Sequence, residues 1–312
     1  MNLKILKLLI INLLCIFFLW FISDCIIFSI HNKNHEHKFS YITKPKQVWY
    51  IDLKNFFDGS DNKFRGRKPD GTEFGTKKNP ITVFGCSFAH GQYLDYNQTF
   101  SYKLAYLLKR PVYNRAIPGG GIPHMYHQVI SDDFYKEVPP SDTVFYIMMD
   151  GHIRRMLIHT YRITDNYFYL HYNYKNNNFQ IENYNNIFQN IFKSSYTIKY
   201  IEHIYINNLI KNEKNSEKIS ELLLQYMIET RKELEKKWNQ KISNFIIVLY
   251  EPIPYESICT EKLAKNGFKI IKAYNLTNAN LNSEEYKMQD NGHPKESAWD
   301  LLTPLIIKEA GL

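Results

Sequence analysis

Residues 81–91 read Ile-Thr-Val-Phe-Gly-Cys-Ser-Phe-Ala-His-Gly. The first five are a short apolar run that closes on Gly85, the pattern of a strand buried on both faces. Ser87 follows two residues later, at what would be the carboxyl end of that strand. Open α/β sheets bind their ligands at that edge. A tight turn there can present Oγ beside the first N–H groups of the next helix, which favour developing negative charge. A Gly-x-Ser after a strand can equally cradle a phosphate. The full phosphate-loop pattern with its lysine and the Gly-x-Gly-x-x-Gly fingerprint are both absent from the chain.

Working outward, further short apolar runs at 111–114, 143–149, 245–250 and 268–273 predict four more strands. Between them the spacing predicts helices over 99–110, with Thr99 as N-cap, and over 121–130. It also predicts an amphipathic helix over 216–239, and a closing helix over 294–309 with Pro294 in its first turn. Strands alternating with helices imply a parallel sheet covered on both sides. Roughly 90 residues separate the third and fourth strands, far more than a crossover needs. Within them, aromatic runs around an Asn-rich turn at 167–184 suggest a β-hairpin. We read 156–215 as an insertion, either a lid or partner-docking element or a plain surface elaboration.

Near the carboxyl terminus comes Asp290-Asn291-Gly292-His293-Pro294. A serine hydroxyl is a poor nucleophile until a base removes its proton, and histidine titrates near neutrality. The base needs a carboxylate on its other ring nitrogen to fix tautomer and orientation. Asp290 and His293, three apart on one loop, can supply both. A lone Asp-x-x-His is commonly a solvated loop. Paired with the strand and Gly-x-Ser turn at 81–87, it becomes a specific combination.

Together these segments resemble the SGNH (GDSL-like) hydrolase family over about 80–312, the insertion excepted. Gly85-Cys86-Ser87 with Gly91 is similar to the family's first block, with Cys86 in place of the usual Asp. Asn114-Arg115-Ala116-Ile117-Pro118-Gly119 is similar to the second, and Asp290 with His293 to the last. The third block departs: where the family has Gly-x-Asn-Asp, this chain reads Met149-Asp150-Gly151-His152. The resemblance implies a three-layer α/β/α sandwich with a flavodoxin-like parallel sheet, and a Ser87–His293–Asp290 triad cleaving an acyl ester. It also implies an oxyanion hole of the Ser87 and Gly119 backbone N–H groups. His152 is the candidate replacement for the missing Asn donor. As a carboxylate, Asp150 would oppose an oxyanion. Arg154 and Arg155 fit either an anionic substrate group or a solvated helix start, and His90, His124 and His127 fall near the site edge. Two rivals stay open: an O-acyltransferase acting on cell-envelope glycan, and a non-catalytic envelope-binding module on a hydrolase fold.

Composition bounds the rest. With 44% hydrophobic and 22% charged residues, the 312-residue chain can build a core and is not disordered. Its net charge of +8 is spread along the chain with no basic patch interleaved with aromatics, so nucleic acid is not an expected partner. Four cysteines without a Cys-x-x-Cys or zinc spacing point to neither a metal site nor a disulfide scaffold, although a Cys86–Cys259 bridge stays open. No cofactor is implied. Residues 8–30 form an apolar run of about 23 residues, long enough to span a bilayer, with no small-x-small cleavage site after it. We expect residues 1–30 to be a transmembrane signal anchor, 31–79 a tether and loop, and 80–312 a catalytic domain on the extracytoplasmic side, acting on an acyl ester, possibly one carried by envelope glycan.

Overall fold

The computed structural model describes residues 12, 15, 18–23, 26, 79–161, 169–173, 178–182, 196–288 and 292–312. The expected anchor, the tether and much of the insertion therefore fall largely or wholly outside the described residues. Among the described residues, no helix is long and apolar enough to cross a membrane.

Five parallel strands form the central sheet: β1 (Ile81–Gly85), β2 (Val112–Asn114), β3 (Thr143–Met148), β6 (Asn244–Leu249) and β7 (Lys269–Lys272). Their order is β2-β1-β3-β6-β7, the flavodoxin-like pattern in which the winding reverses between β1 and β3. Register there pairs Gly85 with Ile147. Strands lie within one residue of where their apolar runs place them, because burial on both faces demands continuous apolar sequence. β4 (Tyr169–Asn173) and β5 (Asn178–Glu182) pair antiparallel, Asn173 against Asn178, as a separate hairpin.

Side-chain alternation divides the interior into two cores. On one face Val83, Phe145, Ile147, Ile246 and Val248 pack with Phe88, Phe100, Leu104, Trp299 and Leu302. This layer carries α1 (Ser87–His90), α2 (Phe100–Leu108) and α9 (Glu296–Ala310). On the other face Phe84, Tyr146, Met148, Ile247 and Leu249 pack with Ile122, Phe134, Ile153, Leu223 and Met227. That layer carries α3 (Ile122–Ile130), α4 (Asp132–Glu137), α5 (Gly151–Tyr161), α7 (Ser216–Trp238) and α8 (Glu256–Lys265). Each large side chain so buried contributes about 1.5–3 kcal/mol. The architecture is the expected three-layer sandwich. Helix α6 (Tyr196–Lys211) leads into α7.

One detail differs from the sequence reading, and one question it left open is answered. Pro294 is not in the first turn of the closing helix, which starts at Glu296 with Lys295 as N-cap. Instead Pro294 bridges antiparallel to Lys287. Cys86 and Cys259 are both free and buried. They belong to the cores on opposite faces of the sheet, so the sheet itself separates them.

Candidate active site

The turn after β1 is shaped by what its glycines lack. At Gly85 (φ +151°) a Cβ would lie 2.8 Å from the Ala89 Cβ and 2.9 Å from the Ile147 carbonyl oxygen. Only glycine lets β1 end this close to β3 with α1 folded over it. Cys86 is the extended N-cap, and Ser87 opens α1. The helix stops at once, because Gly91 takes the left-handed conformation and its N–H returns to the Ser87 carbonyl at 3.1 Å. Cys86, standing where the family motif has Asp, donates its thiol to Met149 Sδ at 3.4 Å. It thereby ties the end of β1 to the end of β3.

Beyond β2 the chain keeps pairing with β1: Arg115 N–H donates to the Val83 carbonyl at 2.7 Å and Ile117 N–H to the Gly85 carbonyl at 3.1 Å. This carries Pro118 and Gly119 to the sheet edge beside Ser87. Asn114 braces the arrangement, donating from Nδ2 to the Ala89 carbonyl at 2.9 Å and accepting from Ala116 N–H at 3.1 Å. Gly120 N–H closes a turn on the Ile117 carbonyl at 2.7 Å. Pro118 and Gly119 (φ +74°) occupy its second and third positions, as a turn with positive φ at its third residue requires. The space a Gly119 Cβ would occupy is open. Among the described residues, neither the Ser87 nor the Gly119 backbone N–H donates to any acceptor.

His293 arrives on a short antiparallel clamp. Met288 N–H donates to the His293 carbonyl and Lys295 N–H to the Tyr286 carbonyl, each at 2.8 Å. Gly292 sits at φ +76°, where a side chain would collide with Lys287. This clamp, rather than a proline-led helix start, sets the imidazole. Its Nε2 lies 2.9 Å from Ser87 Oγ across 206 residues of sequence. Both groups are nearly buried, at 3% and 7% exposure, so the proton between them is shielded from bulk water. Phe88 packs against the ring at 5.5 Å between centroids, and Tyr93 meets it edge-on at 5.2 Å. Tyr93 is 60% exposed and holds a left-handed backbone (φ +70°), a strained state for a bulky residue. Nothing in the sequence singles Tyr93 out. Asp290 lies outside the described residues.

The loop after β3 carries the departure from the family pattern. His152 is fully buried, with Nδ1 2.8 Å from the Tyr146 hydroxyl. Burial, helped by the Arg155 charge, holds its pKa well below the ordinary histidine value, so it stays neutral. Burial likewise pushes the Tyr146 hydroxyl far up. His152 Nε2 has no hydrogen-bond partner among the described residues. Asp150 donates its backbone N–H to Glu251 Oε1 at 3.1 Å. Desolvation raises the pKa of both carboxyls, and the Asp150 charge adds slightly to that of Glu251.

Neither arginine is a solvated helix start. Arg154 bonds Asn207 Oδ1 at 2.7 Å and lies 3.3 Å from His203 Nδ1, docking α5 against α6. Arg155 donates from Nη1 to the Gly120 carbonyl. His90 ends α1 and is buried, while His124 and His127 lie half-buried on α3. Among the described residues, no three His, Cys, Asp or Glu side chains are grouped to hold a metal.

No protein-family model matches the sequence, and no curated protein matches it. Solved structures do. A lipolytic G-D-S-L family protein from Veillonella parvula is 14% identical with a TM-score of 0.40, over 73% of this chain and 96% of its own. A lipase from a goat rumen metagenome is 12% identical with a TM-score of 0.42, over 74% and 97%. A catalytic mutant of an acetylxylan esterase from Geobacillus stearothermophilus is 10% identical with a TM-score of 0.42, over 75% and 95%. The chain is thus similar to solved G-D-S-L lipolytic proteins.

Proposed function

We propose that this protein is a serine ester hydrolase. The observation that carries the reading is the 2.9 Å contact between His293 Nε2 and Ser87 Oγ, set at the reversal point of the parallel sheet. His293 takes the Ser87 proton as Oγ attacks an ester carbonyl carbon. The carbonyl electrons move to oxygen, facing the Ser87 and Gly119 N–H groups. The C–O bond to the alcohol then breaks, and His293 returns its proton to that alcohol. Water, deprotonated by His293, releases the acid and restores the serine. Asp290 is assigned to orient the imidazole and stabilise its charged form.

An activated acetyl ester and a fluorophosphonate probe test this. Turnover of the ester and covalent labelling of Ser87, both lost in Ser87→Ala, are the expected results. A folded wild-type protein that neither turns over nor labels would overturn the reading and favour a binding module. Product accumulating on an added glycan acceptor would redirect it to acyl transfer. The proposal extends to location: residues 8–30 anchor the enzyme, with its domain outside the cytoplasm. The length and apolarity of that run support this, and protease accessibility in intact cells measures it.

A further inference from the structure

We propose that Arg155 is a positioning residue of this same site: its guanidinium, anchored on the Gly120 carbonyl, holds the Gly119–Gly121 loop in the shape that aims the Gly119 N–H at the reacting carbonyl oxygen. This deepens the esterase reading and rests on it.

Three observations carry it. The loop is three consecutive glycines, the most conformationally free tripeptide a chain can contain. One side of it is pinned by the Gly120 N–H bond to Ile117 that closes the turn. At its far end the Gly121 carbonyl accepts from Met125 N–H at 3.1 Å, and between these two anchors the Gly120 carbonyl is held, among the described residues, by Arg155 Nη1. Secondly, Arg155 fills the space beside the loop as well as bonding it. A Cβ on Gly121 would meet the Arg155 Cβ at 3.3 Å and its Cδ at 3.4 Å. The stem therefore lies along the loop while the head group caps it, and truncation to alanine removes the head-group bond and the Cδ contact. Thirdly, Arg155 comes from the first turn and a half of α5, directly after β3. That is the segment where the family pattern would have supplied an asparagine and this chain supplies none.

The neighbouring histidine explains why a cation is tolerated there. His152 is buried and neutral, and Arg155 contributes to keeping it so.

Arg155→Ala, Arg155→Lys and wild type are compared for fluorophosphonate labelling, kcat and KM with an activated acetyl ester, and urea unfolding. The expected result is that all three label at Ser87, since nucleophile and base are untouched. For Arg155→Ala, kcat should fall about 10–100-fold with KM changed by less than about threefold. Lysine, lacking the planar fork, should recover only part of the rate. Millimolar methylguanidinium should restore part of the Arg155→Ala rate without changing its unfolding midpoint, a response a purely structural role would not give. Should Arg155→Ala fail to fold, Arg155→Lys carries the same kcat test. Wild-type-like kcat in a labelled Arg155 variant would overturn the proposal, as would a defect confined to KM. Absence of labelling in wild type would strike the esterase reading instead, so the two failures are told apart.

Discussion

The loops after β1 and after β3 lie side by side, joined through the Gly85–Ile147 register and the Cys86–Met149 contact, yet they are built on opposite principles. The first is defined by missing side chains: at Gly85 and Gly91 a Cβ would collide with Ala89 or Thr99. The second is defined by side chains present: His152 on Tyr146, Asp150 against Glu251, Arg155 on Gly120. Steric exclusion fixes the nucleophile, while polar side-chain contacts, from fully buried to exposed, support the surface beside it. The contrast separates rigidity that comes from packing from rigidity that comes from hydrogen bonds.

The largest effect expected falls on the first loop. Ser87→Ala should lower kcat by at least about 10⁴-fold and lower the unfolding free energy by only about 1–3 kcal/mol, since a single buried hydrogen bond to His293 is lost. Residual turnover at wild-type rate would end the assignment of Ser87. Next is a paired glycine test. Gly85→Ala should destabilise by about 1–3 kcal/mol through overpacking. Gly151→Ala places a Cβ no nearer than 3.5 Å to anything, at a helix start that welcomes alanine, and should stay within about 0.5 kcal/mol of wild type. Urea unfolding of the two decides it, and equal losses would erase the distinction between the loops.

The second loop should reveal itself through pH. His152 has a folded pKa depressed well below the ordinary histidine value, so the unfolded chain binds more protons as pH falls below about 6.5. Stability from this group is full above that value and is lost as pH drops. Between about pH 8 and pH 5.5 wild type should therefore lose stability through this group. His152→Gln removes the titration while leaving Tyr146 a partner of similar reach, so its stability should fall less steeply with pH than that of wild type over the same range. Parallel curves of unfolding free energy against pH would show that His152 is not held neutral.

The same division explains what the sequence makes legible. The five strands, the Thr99 cap and the Ser87–His293 pair follow from local signals: apolar runs, a capping residue, and glycines flanking a serine or histidine. Thr99 accepts from Tyr102 N–H at 3.2 Å as that reading expects. Helix α8 escapes the pattern because only Cys259 and Leu263 of its residues are buried, too thin an apolar stripe to register as periodicity. Arg155 escapes for a different reason. Its partner is a backbone carbonyl 35 residues away, and no spacing rule connects a side chain to a carbonyl that every residue possesses. Glu251 is hidden likewise, since its acceptor role depends on a backbone N–H from another strand's loop.

Tyr93 offers the finest separation of packing from strain, and the smallest expected effect. Its ring stands edge-on to His293 at 5.2 Å, yet its backbone pays for that place with a left-handed conformation at φ +70°. Tyr93→Ala removes the ring and keeps the unfavourable backbone; Tyr93→Gly removes both. If the ring steadies the imidazole, both variants should lose kcat/KM by a similar several-fold factor, consistent with about 0.5–1.5 kcal/mol for an aromatic pair. Their stabilities should differ, with glycine ahead of alanine by about 1 kcal/mol because the left-handed region no longer opposes a Cβ. Since the ring is 60% exposed, little burial is forfeited in either. Rate measurements and urea unfolding on the pair distinguish the outcomes: equal stabilities would mean the backbone is not strained, and undiminished rates would mean the ring is a bystander to the imidazole.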